Sequence, residues 1–176
     1  PTNPMMLLSD IHEISNIAKE KKILTVVDNT FMSPYFQRPI DLGADISLHS
    51  TTKYLNGHSD VIGGIIVTNN SKIGEELHHI QMSVGAVPGP FDCWLTQRSL
   101  KTLHLRMQKH DENGRAIAEF LSNSNKYDKI YYPGLKNHPH HELAKKQQLD
   151  PSGNYGFGAM ISIDLGSIER AEKFVN

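Results

Sequence analysis

The sequence predicts an α/β fold, a mostly parallel sheet flanked by helices, and three patterns carry that expectation. Leu7, Leu8, Ile11, Ile14, Ile17 and Ala18 recur at helical spacing. The run Ile23–Val27 follows and is apolar without alternation, the mark of a strand covered on both faces. Two further short apolar runs, Ile46–His49 and the β-branched Val61–Val67, come next, the last interrupted by Gly63 and Gly64. Helices alternating with buried strands give layered α/β sheets. At 176 residues the chain is long enough for one ordinary domain with a real core.

The first helix has a basic end at Lys19–Lys22, which suits the helix dipole. Asp28 sits where the first strand stops. Pro34, Pro39 and Gly43 punctuate a loop before the second strand, and Lys53 lies just beyond that strand. A short helix is expected over Glu75–Met82. After a break at Gly85–Pro90, Pro90 opens a helix reaching His110. Another helix is expected over Asn113–Ser122, a strand over Tyr127–Tyr132, and a short helix over His138–Gln148. Ala159–Leu165 alternates like a strand with one solvated face. The chain begins with Pro1 and ends in a helix-like pattern (Ile168, Ala171, Phe174, Val175), so it reads as a piece of a longer protein.

Composition excludes several function classes. Eighteen basic against nineteen acidic residues leave no charge excess to hold nucleic acid or a membrane surface. No apolar run approaches the ~20 residues of a membrane span. Cys93 is the only cysteine, which rules out an internal disulfide and fits a reducing compartment such as the cytoplasm. It reads as a small apolar helix residue. Neither a P-loop nor a Gly-x-Gly-x-x-Gly run is present. His138, His140 and His141 form the densest histidine cluster, without the cysteines or the His-Glu-x-x-His pattern of a zinc site, so no metal is expected. Arg98, Lys101, Arg106 and Lys109 lie along one helix and read as a solvated or interface face.

Two polar segments at strand ends carry the chemistry. Val26-Val27-Asp28-Asn29-Thr30 ends one apolar run with a lone carboxylate. Ser50-Thr51-Thr52-Lys53-Tyr54 follows another with a lone amine among hydroxyls. Ligands of open α/β sheets bind at the carboxyl ends of strands. An amine that condenses with an aldehyde and an acid that pairs with a pyridine nitrogen are what pyridoxal phosphate requires. In an extended segment Ser50 and Thr52 point the same way, towards a phosphate. By spacing alone, Asp28 also reads as a turn acid, Lys53 as a solvated lysine and both hydroxyls as ordinary turn residues.

Taken together, Val27–Phe31 and Ser50–Asp60 resemble the cofactor signature of the Cys/Met-metabolism pyridoxal-phosphate enzymes. Phe31–Pro39 and Val84–Cys93 look most like the γ-lyase branch of that family, and Arg98–Met107 and Tyr132–Leu135 also fit. The resemblance runs from Pro1 to about residue 148. It implies fold type I, the aspartate-aminotransferase architecture. Residues 1–123 would be part of the cofactor-binding large domain, and 124–176 the end of a linking helix with the start of a small C-terminal α+β domain. It implies Lys53 as the lysine that carries the cofactor aldehyde and Asp28 as the partner of the pyridine nitrogen. Ser50 and Thr52 become phosphate ligands, Thr30 lies near the ring, and Asn3 contacts the ring hydroxyl. The implied reaction is α,γ-elimination of cystathionine, in a homotetramer built as a dimer of dimers. γ-Synthase, β-lyase and methionine γ-lyase chemistries, and a non-catalytic fragment, stay open. The resemblance further implies that a ring-stacking tyrosine, a phosphate loop and the substrate-carboxylate arginine lie outside these residues. The chain alone is therefore expected to be inactive.

Overall fold

A computed structural model describes residues 1–124 and 126–176. Helix α1 (Ile11–Glu20) begins later than its apolar pattern, because the Asp10 side chain accepts the Glu13 N–H and caps it there. Leu7 and Leu8 therefore precede the helix. α1 buries Ile11, Ser15 and Ala18.

Strand β1 forms only at Val26–Asp28, and Ile23, Leu24 and Val26 are 62%, 59% and 58% exposed. The expected two-faced burial is not met. β1 is an edge strand, with only Val27 half-buried. β2 (Ile46–Ser50) pairs with β1 in parallel, with Asp28 opposite Leu48. β3 (Gly64–Val67) pairs with β2 antiparallel, so the expected mostly parallel sheet is mixed over these three strands, in the order β1-β2-β3. A parallel return needs a long crossover, usually a helix. Here the chain turns back through residues 51–63 with only one irregular turn.

Between β1 and β2 a single-turn helix, α2 (Ser33–Phe36), replaces part of the expected loop. α3 (Ser71–Val84) is longer than expected, capped by Asn70 at its start and by Gly85 in the left-handed region at its end. α4 (Pro90–Leu100) and α5 (Leu103–Asn123) divide the next stretch differently from the sequence reading. The break falls at Lys101–Thr102, where the Thr102 hydroxyl donates to Ser99 O at 3.1 Å. A threonine hydroxyl bonded to the preceding turn competes with the helix ladder. α5 then continues unbroken through Asp111–Asn113.

β4 (Lys129–Tyr131) and β5 (Ser162–Asp164) make a two-stranded antiparallel sheet. α6 (His141–Gln147) and α7 (Ile168–Val175) complete the elements. Asn125, inside the expected domain change at 123–127, lies outside the described residues.

α5 runs beneath both apolar cores. Leu103 and Met107 pack with Met32, Phe36 and Leu55, flanked by Tyr35 and Tyr54. Ala118 packs with Leu8, Tyr132, Ala144 and Phe157. Among the described residues no helix is long and apolar enough to cross a membrane.

Candidate active site

The parallel register of β1 and β2 brings their carboxyl ends side by side. Asp28 is exposed at the end of β1, and its Oδ1 accepts the Thr30 N–H at 2.9 Å. Thr30 Oγ1 accepts the Ser50 N–H at 2.9 Å, stapling the two strand ends together. Asp28, Thr30 and Ser50 are thus one hydrogen-bonded group.

From Thr51 the segment is no longer extended. Thr51–Leu55 forms a π-turn, with the Asn56 N–H donating to Thr51 O at 3.1 Å, and Lys53 interrupts it at φ −94°, ψ −125°. The alternation argument for Ser50 and Thr52 therefore does not apply. Thr52 Oγ1 accepts the Gly63 N–H at 3.0 Å, so part of its capacity is already engaged by backbone. Lys53 is exposed, while Thr51 and Leu55 on either side of it are buried and anchor the turn.

Asn3 is exposed in the turn that follows Thr2. Pro1 and Thr2 line a cavity of ≈ 310 Å³ together with Asp28, Ser9, Ser15, Gln37 and Gln147; neither Asn3 nor Lys53 lines it. Beside it runs a chain of buried amides. Gln37 Nε2 donates to Asn29 Oδ1 at 2.9 Å, and Gln147 Nε2 donates to Gln37 Oε1 at 3.3 Å. That chain ties the residue after Asp28 to α6.

His49, buried on β2, makes its contact to Ser47 Oγ through Nε2 at 3.2 Å and leaves Nδ1 without a partner. Burial lowers its pKa, and the Asp28 charge opposes that shift.

Of the four basic residues read as a solvated or interface face, Arg98, Lys101 and Lys109 are exposed and Arg106 is half-buried. Its Nη1 donates to Tyr54 O at 2.7 Å, and its Nη2 to Ser99 O at 3.1 Å and Leu55 O at 3.4 Å. A lysine or arginine on a helix with no visible acidic partner looks solvated in sequence.

The histidine cluster does backbone work. His140 Nδ1 accepts the Leu8 N–H at 2.9 Å, and His141 Nδ1 lies 2.8 Å from Pro133 O. Cys93 is half-buried in α4.

The donor set suits pyridoxal phosphate. An exposed amine follows one strand end, an acceptor-only carboxylate lies at the parallel neighbour's end, and the hydroxyl of Ser50 stands between them in sequence and register. The sequence pattern of the Cys/Met metabolism PLP-dependent enzymes matches residues 1–176. The chain belongs to that family. Family membership brings dependence on pyridoxal phosphate and the α/β fold of the type I enzymes. The chain is 54% identical to cystathionine gamma-lyase of Bacillus subtilis over 175 residues, 99% of this chain and 45% of that protein. It is 53% identical to cystathionine beta-lyase of Lactococcus lactis subsp. cremoris, over 99% of this chain and 44% of the relative. The crystal structure of cystathionine gamma synthase from Xanthomonas oryzae pv. oryzae, in complex with aminoacrylate and cysteine, superposes with a TM-score of 0.91. It is 45% identical, over 98% of this chain and 43% of that one. The chain thus spans under half the length of these family members.

Proposed function

We propose that the protein containing this chain is a carbon–sulfur lyase that performs α,γ-elimination on L-cystathionine, with water yielding L-cysteine, 2-oxobutanoate and ammonia. The observation that carries the cofactor site is the parallel register that sets the carboxyl ends of β1 and β2 side by side, with Asp28 on one and Ser50 on the other; the carbon–sulfur chemistry rests on the family match. The γ-specific part rests on the Phe31–Pro39 and Val84–Cys93 segments and on the 54% identical γ-lyase.

When bound, pyridoxal phosphate supplies an electron sink for charge developing at the substrate α-carbon. Lys53 would hold its aldehyde and, once the amino group of the incoming substrate displaces it, its freed amine would move protons at the substrate α- and β-carbons and toward the departing sulfur. A flexible lysine reaches several atoms in turn, which such a sequence needs. Asp28 accepts a charge-assisted hydrogen bond from the pyridine nitrogen and keeps it protonated. The Ser50 and Thr52 hydroxyls would hold the phosphate, Thr30 would lie near the ring, and Asn3 would bind the ring hydroxyl. Residues 1–123 belong to the large cofactor domain and 124–176 to the linker and the start of the small domain. The whole protein works in the cytoplasm as a tetramer of paired dimers.

The 53% identical β-lyase favours a second reading of the same site, elimination at the β-carbon. Product analysis of the full-length protein with cystathionine separates the two. Cysteine and 2-oxobutanoate are expected; homocysteine and pyruvate would sink the γ-assignment. Borohydride treatment of the cofactor-loaded protein should leave a covalent adduct on the Lys53 peptide, and Lys53→Ala should lose both adduct and turnover. Turnover that survives in Lys53→Ala removes the lysine from its role.

A further inference from the structure

We propose that Arg106 is a positioning residue for Lys53. Its guanidinium clamps the two carbonyls that follow Lys53 and so fixes the direction in which the amine leaves the backbone. The inference rests on the reading of Lys53 as the cofactor lysine.

The turn that carries Lys53 is poorly held by its own ladder. Lys53 has non-helical torsions in the middle of the π-turn. Past it the Gly57 N–H donates to Lys53 O at 2.7 Å, and the chain leaves through Gly57 and Ser59, both at positive φ. The carbonyls of Tyr54 and Leu55 are then in the position of helix-end carbonyls, without a continuing turn to supply donors. Arg106 supplies them, from a planar fork whose N–H groups point in fixed directions. The same fork takes Ser99 O at 3.1 Å, and its Nε donates to Thr102 Oγ1 at 3.2 Å. Ser99 and Thr102 flank the break between α4 and α5, so the break forms one wall of the clamp.

A second, independent feature is steric. A Cβ built on Gly57 overlaps Arg106 Nη1, so the loop after Lys53 is shaped around the guanidinium. On the other side Tyr54 and Leu55 pack against Leu103 and Met107. α5 therefore grips these two residues by side chain and by carbonyl, and Lys53 is the next residue back along the chain. Lysine at position 106 keeps the charge but cannot span three carbonyls with one rigid plane.

The test uses the full-length protein. Wild type, Arg106→Lys, Gly57→Ala and a control, Arg115→Lys, are compared by three readouts. These are pyridoxal phosphate affinity with borohydride trapping at Lys53, the pH midpoint of the visible absorption of the lysine-bound cofactor, and amide exchange at Asn56 and Gly57 without cofactor. Gly57→Ala crowds the guanidinium while leaving Arg106 in place, but at φ +73° it also strains the turn, so the clamp is read from Arg106→Lys and Gly57→Ala only corroborates it. Both clamp variants should bind on the order of tenfold more weakly, as befits loss of a forked charge-assisted contact. Their pH midpoint should move, and exchange at Asn56 and Gly57 should quicken while the rest of α5 stays protected. Arg115→Lys should match wild type in all three. Wild-type trapping and pH midpoint in Arg106→Lys would overturn the proposal, and so would a loss of protection spread evenly along α5. A wild-type protein that is never trapped at Lys53 overturns the proposed function instead. The clamp then stands or falls on the exchange rates, and unchanged rates at Asn56 and Gly57 refute it.

Discussion

Asp28 bonds at short range and offers its charge outward. One carboxylate oxygen takes the Thr30 N–H, and Thr30 Oγ1 takes the Ser50 N–H from the next strand. Asp28→Asn keeps an oxygen for Thr30 and removes only the charge, so the fold should hold while cofactor retention drops. Exchanging a charged acceptor for a neutral one roughly halves the strength of such a bond. Equilibrium dialysis should therefore show affinity falling on the order of tenfold, with a thermal midpoint close to that of wild type. Asp28→Ala should lower the midpoint slightly as well, because the Thr30 N–H exchanges an intramolecular acceptor for water. Equal cofactor retention by Asp28→Asn would show that the carboxylate faces no pyridine nitrogen. The position of Asp28 at the end of β1 and of Lys53 just past β2 was legible in sequence, because apolar runs stop there, and strand ends are where such sheets bind ligands. Arg106 was not, because its partners Tyr54 and Leu55 lie 52 and 51 residues away and are backbone atoms, which carry no sequence signature. The buried amides of Asn29, Gln37 and Gln147 escaped for a related reason: a glutamine does not announce that it will be buried.

Among the elements, α5 shows best where periodicity succeeds and where it stops. Leu103, Met107, Asp111, Gly114, Ala118 and Leu121 share its buried stripe at helical spacing. Asp111, a charged member of that stripe, falls in the gap between the two helices expected from sequence, and Gly114 lies just inside the second. Asp111 accepts the Phe157 N–H at 2.6 Å, the Gly158 N–H at 3.0 Å and Arg115 Nε at 2.7 Å. Gly114 lets the 156–158 loop reach the helix: a Cβ there would lie 2.5 Å from Gly158 O and 3.1 Å from the Tyr132 hydroxyl. Helix propensity alone favours Gly114→Ala by about 1 kcal/mol. Overlap with a backbone carbonyl costs roughly 1–3 kcal/mol and should win, so denaturant melts should show net destabilisation. Gly74 in α3 is the counter-case, with only Thr68 Cγ2 nearby at 3.8 Å. Gly74→Ala should stabilise by about 0.5–1 kcal/mol. The same sign for both substitutions would show that the tight approach at Gly114 does not decide its stability.

For the molecule as a whole, the α/β class was legible from the alternation of helix and strand. The direction of β3 and the exposure of β1 were not. Strand direction depends on how the chain returns, and 51–63 returns without a crossover helix. Continuous apolar runs promise covered faces, yet this chain holds only part of the length found in its relatives. The pH dependence of stability is also a property of the whole. Burial lowers the pKa values of His49, His110 and His138 in the folded state; neighbouring His140 and His141 add to the effect at His138, and Arg106 at His110. A group with a depressed folded pKa binds its proton more readily when unfolded. The folded state is therefore fully favoured above the ordinary histidine pKa of about 6.5 and loses stability as pH falls through the lower folded values. Asp10 and Asp45, whose carboxyls are held low first by backbone N–H bonds, add a second loss at more acid pH. His138 is a useful probe: it is buried, its Nδ1 accepts the His140 N–H at 3.2 Å, and burial outweighs the opposing effect of the nearby Met6 backbone. Asn at 138 can present an oxygen to that N–H and does not titrate. Thermal melts between pH 8 and pH 5 should show a falling midpoint in wild type and a visibly shallower fall in His138→Asn. Identical slopes would mean that His138 takes up its proton equally well in the folded and unfolded chain.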